Sequence, residues 1–464
     1  MSDLSAKLIP KVALDLAEAF RSSGFGLWLV GGWVRDALLG KIHSDLDLAT
    51  DARPEQSLEI LKSWSKRTPW TTGMEFGTVG IQHGGTRIEV TTFRTEVYET
   101  SSRHPSVTYG KDLKTDLSRR DFTINAMAIA LPDVRLEDPF GGINDLVAKR
   151  LRTPLEPEVS FSDDPLRMLR ALRFASTLEF QVDPAALAAI AEMHERLSII
   201  SAERIRDELS KLILGMAPST ALDLATETHL ADEFLPELPA LKLEQDPIHR
   251  HKDVFRHSLA VLDNVSSTDA QDPDLALRLA ALLHDIGKPK TRQITSKGVS
   301  FHHHEVVGAQ MVESRLSELR YPSRLVEEVR QLVYLHLRFH TYALGWTDRA
   351  VRRYVRDAGP LLKKLNTLVR ADCTTRNPAK AARLARRMDD LEARIRDLES
   401  REELARLRPA LDGHEVMAHL GIAPGRLVGE ALDFLMEIRL DEGEISKQEA
   451  ERRLDEWYRQ RHGD

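Results

Sequence analysis

The chain has 464 residues, 42% of them apolar and 30% charged, with a formal net charge of −7. That length exceeds one ordinary domain and supplies enough apolar residues for several cores, while the acidic balance excludes a polycation that holds nucleic acid through its overall field. Cys373 is the single cysteine, which excludes an internal disulfide framework.

The first residues, "MSDLSAKLIPKVALDLAEAF", lack the basic start and apolar core of a secretory signal. No apolar run approaches the ~20 residues that cross a bilayer. The expectation is a soluble, cytoplasmic protein with no membrane partner. Residues 11–23 have helical apolar spacing, and "LWLVGG" is a short strand ending in glycines. "TVGIQHGGTRIEVTTF" alternates on both sides of Gly84-Gly85, a hairpin pattern. From about residue 160 nearly every segment has helical period. Proline-containing breaks near 154–157, 236–247 and 378 divide the chain into 1–150, 151–240, 241–376 and 377–464. The expected class is α+β: a mixed-sheet head followed by helical modules.

"LVGGWVRDALLGKIHSDLDLAT" (29–50) carries Asp45 and Asp47 two positions apart. In a strand such residues project to one face, and two carboxylates there suit Mg²⁺ ions, which take hard oxygen ligands and share them with phosphates. Gly31-Gly32 lets backbone approach a triphosphate, and Arg35 and Asp36 start the helix that follows. An Asp-x-Asp alone is equally an acidic strand end. Glu89, in "RIEV", offers a third carboxylate on an adjacent strand, or a solvent-facing glutamate. In "RRDFTINAMA" Arg119, Arg120, Asp121 and Asn125 gather beside an apolar segment read as helical. Asp121 and Asn125, four apart, then share a helical face and hold a ribose while Arg120 meets phosphate.

Gly-Gly-x-Val-Arg-Asp…Asp-Leu-Asp, Arg-Arg-Asp-Phe-Thr-x-Asn-Ala, "DPFGGINDL", "DDPLRMLRALRF" and "SAERIRDEL" follow in this order over roughly the first 240 residues. The series resembles the bacterial class II tRNA nucleotidyltransferases, the CCA-adding enzymes, with their poly(A) polymerase relatives. The resemblance implies a head related to DNA polymerase beta, helical modules behind it, tRNA, CTP and ATP as partners, and Mg²⁺ at Asp45 and Asp47 as the catalytic pair. The candidate nucleotide-binding set is Gly32, Arg35, Arg120, Asp121, Asn125, Asp164, Arg167, Arg170 and Arg173.

Asp164 and Arg167, three apart, can face one ligand from a helix. A carboxylate only accepts and a guanidinium only donates. Cytosine and adenine each present an amine beside a bare ring nitrogen, which matches that pair; uracil and guanine present the reverse and leave both protein groups mismatched. The family's base-reading motif is Glu-Asp-x-x-Arg, and here Asp163 stands in its first position. The segment Phe93–Arg119 corresponds to the loop that full CCA enzymes use when switching to A. Its length favours complete CCA addition over CC-only or poly(A) synthesis.

"HRHKDVFRHSLAVLDNV", "LAALLHDIGKPKT", "FHHHEVVGAQ", "LVYLHLRFH" and "LVRADCTTRNP" supply His257, His284-Asp285 and Asp372 in the order of the HD phosphohydrolase superfamily. Imidazole with carboxylate suits a divalent transition metal or Mg²⁺, which activates water. His304 and His336 fall where some relatives place further ligands, and Lys288 is placed to offset phosphate charge. His302 and His303 read as surface. The basic stretch 349–387, including Arg349, Arg352, Arg353, Arg356, Lys364 and Arg376, is read as an RNA-contacting surface, and residues 411–464 resemble the family's helical tail. Two rival readings stay open: a CC-only or poly(A) polymerase with the same head, and a protein that is chiefly an HD phosphohydrolase. The intact Asp45–Asp47 pair argues against a non-catalytic RNA-binding protein, and the sequence assigns no oligomeric state.

Overall fold

A computed structural model of the chain describes residues 9–41, 45–97, 106–110, 112–243, 253–295, 298–341, 346–375, 377–401 and 407–462. They form two units, Met1–Pro239 and Ala240–Asp464.

In the first unit, α1 (Lys11–Ser22) lays Ala13, Leu16, Ala17 and Phe20 into the core. β1 (Leu27–Val30) ends at Gly31, whose φ of +68° starts α2 (Gly32–Leu38). β2 (Leu46–Thr50), α3 (Pro54–Trp64), β3 (Trp70–Gly73), β4 (Thr78–His83) and β5 (Thr86–Thr92) follow. β4 and β5 form the expected hairpin, with Gly84 and Gly85 both at positive φ between His83 and Thr86, as a two-residue mirror turn requires. β6 (Arg94–Val97) pairs with β7 (Ser106–Tyr109), and α4 (Leu113–Ser118) is capped by Asp112. β6, β7 and α4 belong to the segment Phe93–Arg119 expected to govern the switch to A, of which residues 98–105 and 111 lie outside the described residues. β8 (Ala128–Leu131) and β9 (Arg135–Glu137) complete a seven-stranded sheet in the order β3-β4-β5-β2-β1-β8-β9.

β2 shows why the carboxylates stand where they do. Leu46 and Leu48 are 1% exposed and belong to the core, while Asp47 between them faces out. β2 and β5 are parallel, in a register that sets Asp47 beside Glu89.

The apolar run after Asp121 is not a helix. A single 3-10 turn, Thr123–Asn125, leads into β8, where Ala128 and Ile129 are fully buried. Inside a sheet both faces of a strand are covered, so an apolar run there shows no alternation and imitates a buried helix.

The rest of this unit is α5 (Gly142–Val147), α6 (Pro157–Asp163), α7 (Leu166–Leu178), α8 (Pro184–Met193), α9 (Ala202–Ile213) and α10 (Pro218–Glu227). A small parallel ribbon joins β10 (Arg150–Leu151) to β11 (Gln181–Val182).

The second unit is helical apart from one hairpin, β12 (Arg292–Thr295) with β13 (Gly298–Phe301). Its helices are α11 (Val254–Thr268), α12 (Leu275–Leu283), α13 (Lys288–Thr291), α14 (His304–Glu318), α15 (Ser323–Leu335), α16 (Arg338–Thr341), α17 (Asp348–Ala358), α18 (Leu362–Ala371), α19 (Pro378–Arg401), α20 (Gly413–Leu420), α21 (Arg426–Glu442) and α22 (Lys447–His462). No helix among the described residues is long and apolar enough to cross a membrane.

The basic stretch 349–387 divides. Arg349 meets Asp441, Arg353 meets Glu437, Arg352 is buried against the Leu440 carbonyl, and Lys364 bridges Asp274 and Glu328. Much of the stretch between 349 and 364 therefore holds α17 to α21 and α18 to its neighbours. Lys363, Lys380, Arg383 and Arg386 remain exposed, and Arg376 lies outside the described residues.

α11 and α12, which carry metal-ligand candidates, are tied by Arg278. This arginine is 2% exposed and gives Asp269 hydrogen bonds of 2.9 Å from Nε and 2.7 Å from a terminal nitrogen. Removing one partner leaves a buried charge uncompensated, which costs about 3–5 kcal/mol. Asp269→Ala is expected to destabilise the helical unit by that amount in denaturant titration, with the transition of the first unit unmoved.

Candidate active sites

The first unit contains a cleft of about 750 Å³, within the size range of nucleotide-sized ligand sites. Gly32, Arg35, Asp47, Glu89, Arg120, Asp121, Asn125, Asp164, Arg167, Arg170 and Arg173 all line it. Asp45 is exposed one residue before β2, close enough to act on the charge of Asp47. Removal from water raises the Asp47 carboxyl, and Glu89 and Asp45 raise it further against Arg120 and Arg87. Like charges so close call for a cation, and Arg87 already answers Glu89 at 2.5 Å. Hard oxygens gathered beside a nucleotide-sized cleft fit Mg²⁺. Gly31 is favoured by its φ of +68°, and a Cβ there would also press, at 2.9 Å, on the mobile end of the Arg120 guanidinium.

A chain of hydrogen bonds forms one wall. Arg35 holds Asp36 through two bonds of 2.8 and 2.7 Å and donates to Asn125 Oδ1 at 2.7 Å. The Asn125 amide donates to Asp121 Oδ1 at 2.9 Å, and Arg170 grips Asp121 Oδ2. Arg170 and Arg173 then share Glu208 of α9. Arg173 also stacks on Phe174, 3.8 Å from the ring centroid. Asp121 and Asn125 thus meet, though not on a helix, and their polar atoms orient arginines as well as facing the cleft.

The base-reading pair also differs from expectation. Asp164 precedes α7, caps the Leu166 N–H at 3.1 Å, and meets Arg204 at 3.0 Å. Arg167 is buried on α7 with its guanidinium on the Ser160 hydroxyl (2.9 Å) and the Arg119 carbonyl. The pair therefore does not project from one helical face, because Pro165 places Asp164 ahead of the helix. Arg204, Glu208 and Phe174 are cleft or wall residues that sequence reasoning passed over. The quoted "SAERIRDEL" held two of them, and an amphipathic charged helix hid their role.

Burial would raise the Asp121 carboxyl, but the Arg170 charge and hydrogen bonds from Asn125 and Arg170 bring it down to about 2 from 3.8. A carboxyl depressed on folding contributes stability that is full above its unfolded value and lost as pH falls through the folded one. The window is therefore pH 4 to 2. Asp121→Asn is expected to lose about 2 kcal/mol at pH 6, and its stability should flatten against pH in that window where the native protein's falls. Parallel curves would contradict the assignment.

In the second unit His257, His284 and Asp372 form one metal-capable group, and Asp285, His304 and His336 another, with ligand atoms in each within 4.8 Å. His284 Nε2 lies 3.3 Å from His257 Nε2, and Asp285 stands 3.2 Å from His284 and 3.3 Å from His304. The Nδ1 atoms of His284, His304 and His336 face the carbonyls of Ala281, Phe301 and Val333 at 2.9, 2.7 and 2.6 Å. A carbonyl only accepts, so each Nδ1 carries hydrogen and each Nε2 turns inward, the orientation of a metal-ligating imidazole. Burial, helped by the His284 charge, holds His336 down to about 3, so it is neutral. Its Nε2 is buried without a hydrogen-bond partner among the described residues. That orphaned atom, within a nitrogen and oxygen donor set, fits a divalent metal. Gly287 lets α14 close on the cluster, since a Cβ there would lie 2.2 Å from the His304 carbonyl oxygen. Lys288 meets Asp285 at 2.6 Å, and His302 and His303 are exposed. His340, passed over in the sequence, stands 4.0 Å from Asp372.

Fold and cleft define the class: a metal-dependent nucleotidyltransferase head followed by a metal-dependent HD module. Residues 27–152 match the Poly A polymerase head domain, 179–241 a probable RNA and SrmB-binding site of polymerase A, and 254–398 the HD domain. The chain is 35% identical over 443 residues to an A-adding tRNA nucleotidyltransferase of Deinococcus radiodurans, covering 93% of this chain and 95% of that one. It is 43% identical over 229 residues to a CCA-adding enzyme of Enterococcus faecalis, 49% of this chain and 55% of that one, so that match spans about half of each. The solved structure of the Bacillus stearothermophilus CCA-adding enzyme with CTP is similar at 27% identity and a TM-score of 0.65, covering 97% of this chain and 98% of that one. The chain belongs to the tRNA nucleotidyltransferase family.

Proposed function

We propose that this cytoplasmic enzyme adds nucleotides to the 3′ end of tRNA from CTP and ATP, completing CCA without a nucleic-acid template. The observation that carries the reading is the Asp47–Glu89 register on parallel strands, beside an arginine-lined cleft. Asp45 and Asp47, with Glu89 beside them, hold Mg²⁺. The ion, when bound, draws charge from the α-phosphate and favours the ionised primer hydroxyl. Arg120 meets phosphate at the Gly31–Gly32 turn. The Arg35–Asn125–Asp121–Arg170 chain fixes the sugar-facing wall, so that the 3′-oxygen attacks the α-phosphate in line and pyrophosphate leaves. Asp164 accepts from the exocyclic amine that cytosine and adenine share, and Arg167 donates to the neighbouring ring nitrogen after turning from Ser160. Arg204, 3.0 Å away, holds the Asp164 side chain in place.

A second reading is addition of the terminal A alone, favoured by the relative matched along nearly the whole chain. Extension of tRNA lacking CCA and of tRNA ending in CC, read at single-nucleotide resolution, separates them. C, C and A on the first substrate establishes CCA addition. Extension of only the second makes this an A-adding enzyme, C, C without A a CC-adding one, and a long ladder a poly(A) polymerase. Asp45→Ala and Asp47→Ala are each expected to lower transfer by at least ~10³-fold with tRNA binding retained in a gel-shift titration. Retained transfer would remove the metal assignment.

We infer that the second unit hydrolyses phosphoesters such as 2′,3′-cyclic phosphates. Water adds to phosphorus, the bond to one sugar oxygen breaks, and that oxygen takes the proton. His257, His284, Asp285 and Asp372 hold the metal, of transition type or Mg²⁺, with His304 and His336 forming a second position. His284→Ala or Asp285→Ala is expected to abolish phosphoester hydrolysis while nucleotide addition continues, and loss of both activities together would refute the division.

A further inference from the structure

The helical unit contains a cavity of about 260 Å³ that the hydrolytic chemistry above does not use. Its wall is mostly apolar: Phe339 from α16, Val369 from α18, and Leu384, Ala385 and Met388 from α19. Phe339 and Met388 are each 2% exposed, so the wall is fixed, whereas Ala385 is exposed. Asp372 lines the same cavity and also completes the metal-capable group with His257 and His284. An apolar slot and a metal site therefore share one carboxylate.

We propose that this cavity receives the base of a 3′-terminal nucleoside whose phosphoester lies at the metal ligands, so the module selects nucleotides over phosphoesters at large. The proposal rests on the hydrolytic reading of the module and names its substrate class.

Size is the first support. The cavity is smaller than the 300–1,000 Å³ usual for a whole ligand, so it suits one ring system with sugar and phosphate outside. Its chemistry is the second. A flat base has apolar faces that stack on aromatic and aliphatic side chains, a contact that tolerates any base. Phe339 supplies the ring, with the Arg387 guanidinium 5.0 Å from its centroid. Charge is the third. Arg370 lines the wall but is held by Asp389 and Glu392, so it shapes the slot and leaves the phosphate to others. Arg387 beside the Phe339 ring and exposed Lys380 on the same helix, α19, offer cations to a nucleotide's phosphates.

The full chain is assayed on adenosine 2′,3′-cyclic phosphate and on glycerol 1,2-cyclic phosphate, which keeps the ring phosphodiester and lacks the base. The native protein is expected to prefer the nucleotide in kcat/KM by about tenfold or more, since stacking one base contributes about 1–3 kcal/mol. Ala385→Phe, at an exposed position, fills the slot. It should raise KM for the nucleotide by about tenfold, with the glycerol ester little changed. Equal effects on both substrates, or none, would overturn the proposal. If the native protein hydrolyses neither ester, the hydrolytic reading fails by itself. The Met388 methyl resonance, assigned with Met388→Leu, then decides the pocket. A shift on adding adenosine 2′-monophosphate that Ala385→Phe abolishes supports it, and an unmoved methyl overturns it.

Discussion

A carboxylate buried as deeply as Asp121 costs several kcal/mol unless opposite charge meets it, and Arg170 from α7 is the group that does. The same contact fixes much else. With one oxygen taken by Arg170, the other is free for Asn125, whose own oxygen then receives Arg35. Arg35 in turn is held flat against Asp36. One ion pair therefore sets the positions of side chains on α2, on the turn at 123–125, on α7 and, through Glu208, on α9. A nucleotide site gains from walls ordered in advance, because arginines immobilised before the ligand arrives lose no further freedom on binding. The low carboxyl value of Asp121 comes from the same Arg170 and Asn125 contacts.

The carboxylates on β2 have the opposite design. Asp47 is pushed up, not down, by removal from water and by Glu89 and Asp45, and its cationic neighbours do not neutralise it. A protein that offset those charges internally would have nothing left to bind a metal. Parallel pairing of β2 with β5 creates this condition, because its register sets Asp47 next to Glu89. A one-residue slip would turn Asp47 into the core and Leu46 and Leu48 out of it, so the hydrophobic core holds the acidic site in place.

These differences explain which parts were legible in the chain. Asp45, Asp47 and Glu89 could be read because a strand's period is two and Gly84-Gly85 announces its hairpin. The HD set could be read because His284 and Asp285 are adjacent and the others recur at the ends of apolar helical runs. Asp121 and Asn125 were given the right neighbour for the wrong reason: spacing of four suggested a helix, and a 3-10 turn before a buried strand delivers the same contact. Arg167 and Asp164 were placed on one helix because a spacing rule does not see that Pro165 separates a capping residue from the helix it caps. The basic stretch misled through distance. Arg349 and Arg353 find their acids on α21, 92 and 84 residues later, and charge counted in a local window cannot register partners that far away.

The metal-capable groups of the two units differ in donor chemistry. Asp45, Asp47 and Glu89 offer only oxygen, from an open cleft in which phosphates can complete the coordination, and that arrangement suits Mg²⁺. The helical cluster offers inward-facing imidazole nitrogens around Asp285, with His284, His304 and His336 aligned by backbone carbonyls behind them and His257 by the Thr374 hydroxyl. Nitrogen donors of that kind favour later divalent metals, and the carbonyls fix their direction before any ion arrives. The contrast lies in the ligand types themselves: carboxylates at the start of β2 and on β5 in one unit, and histidines oriented near helix ends in the other.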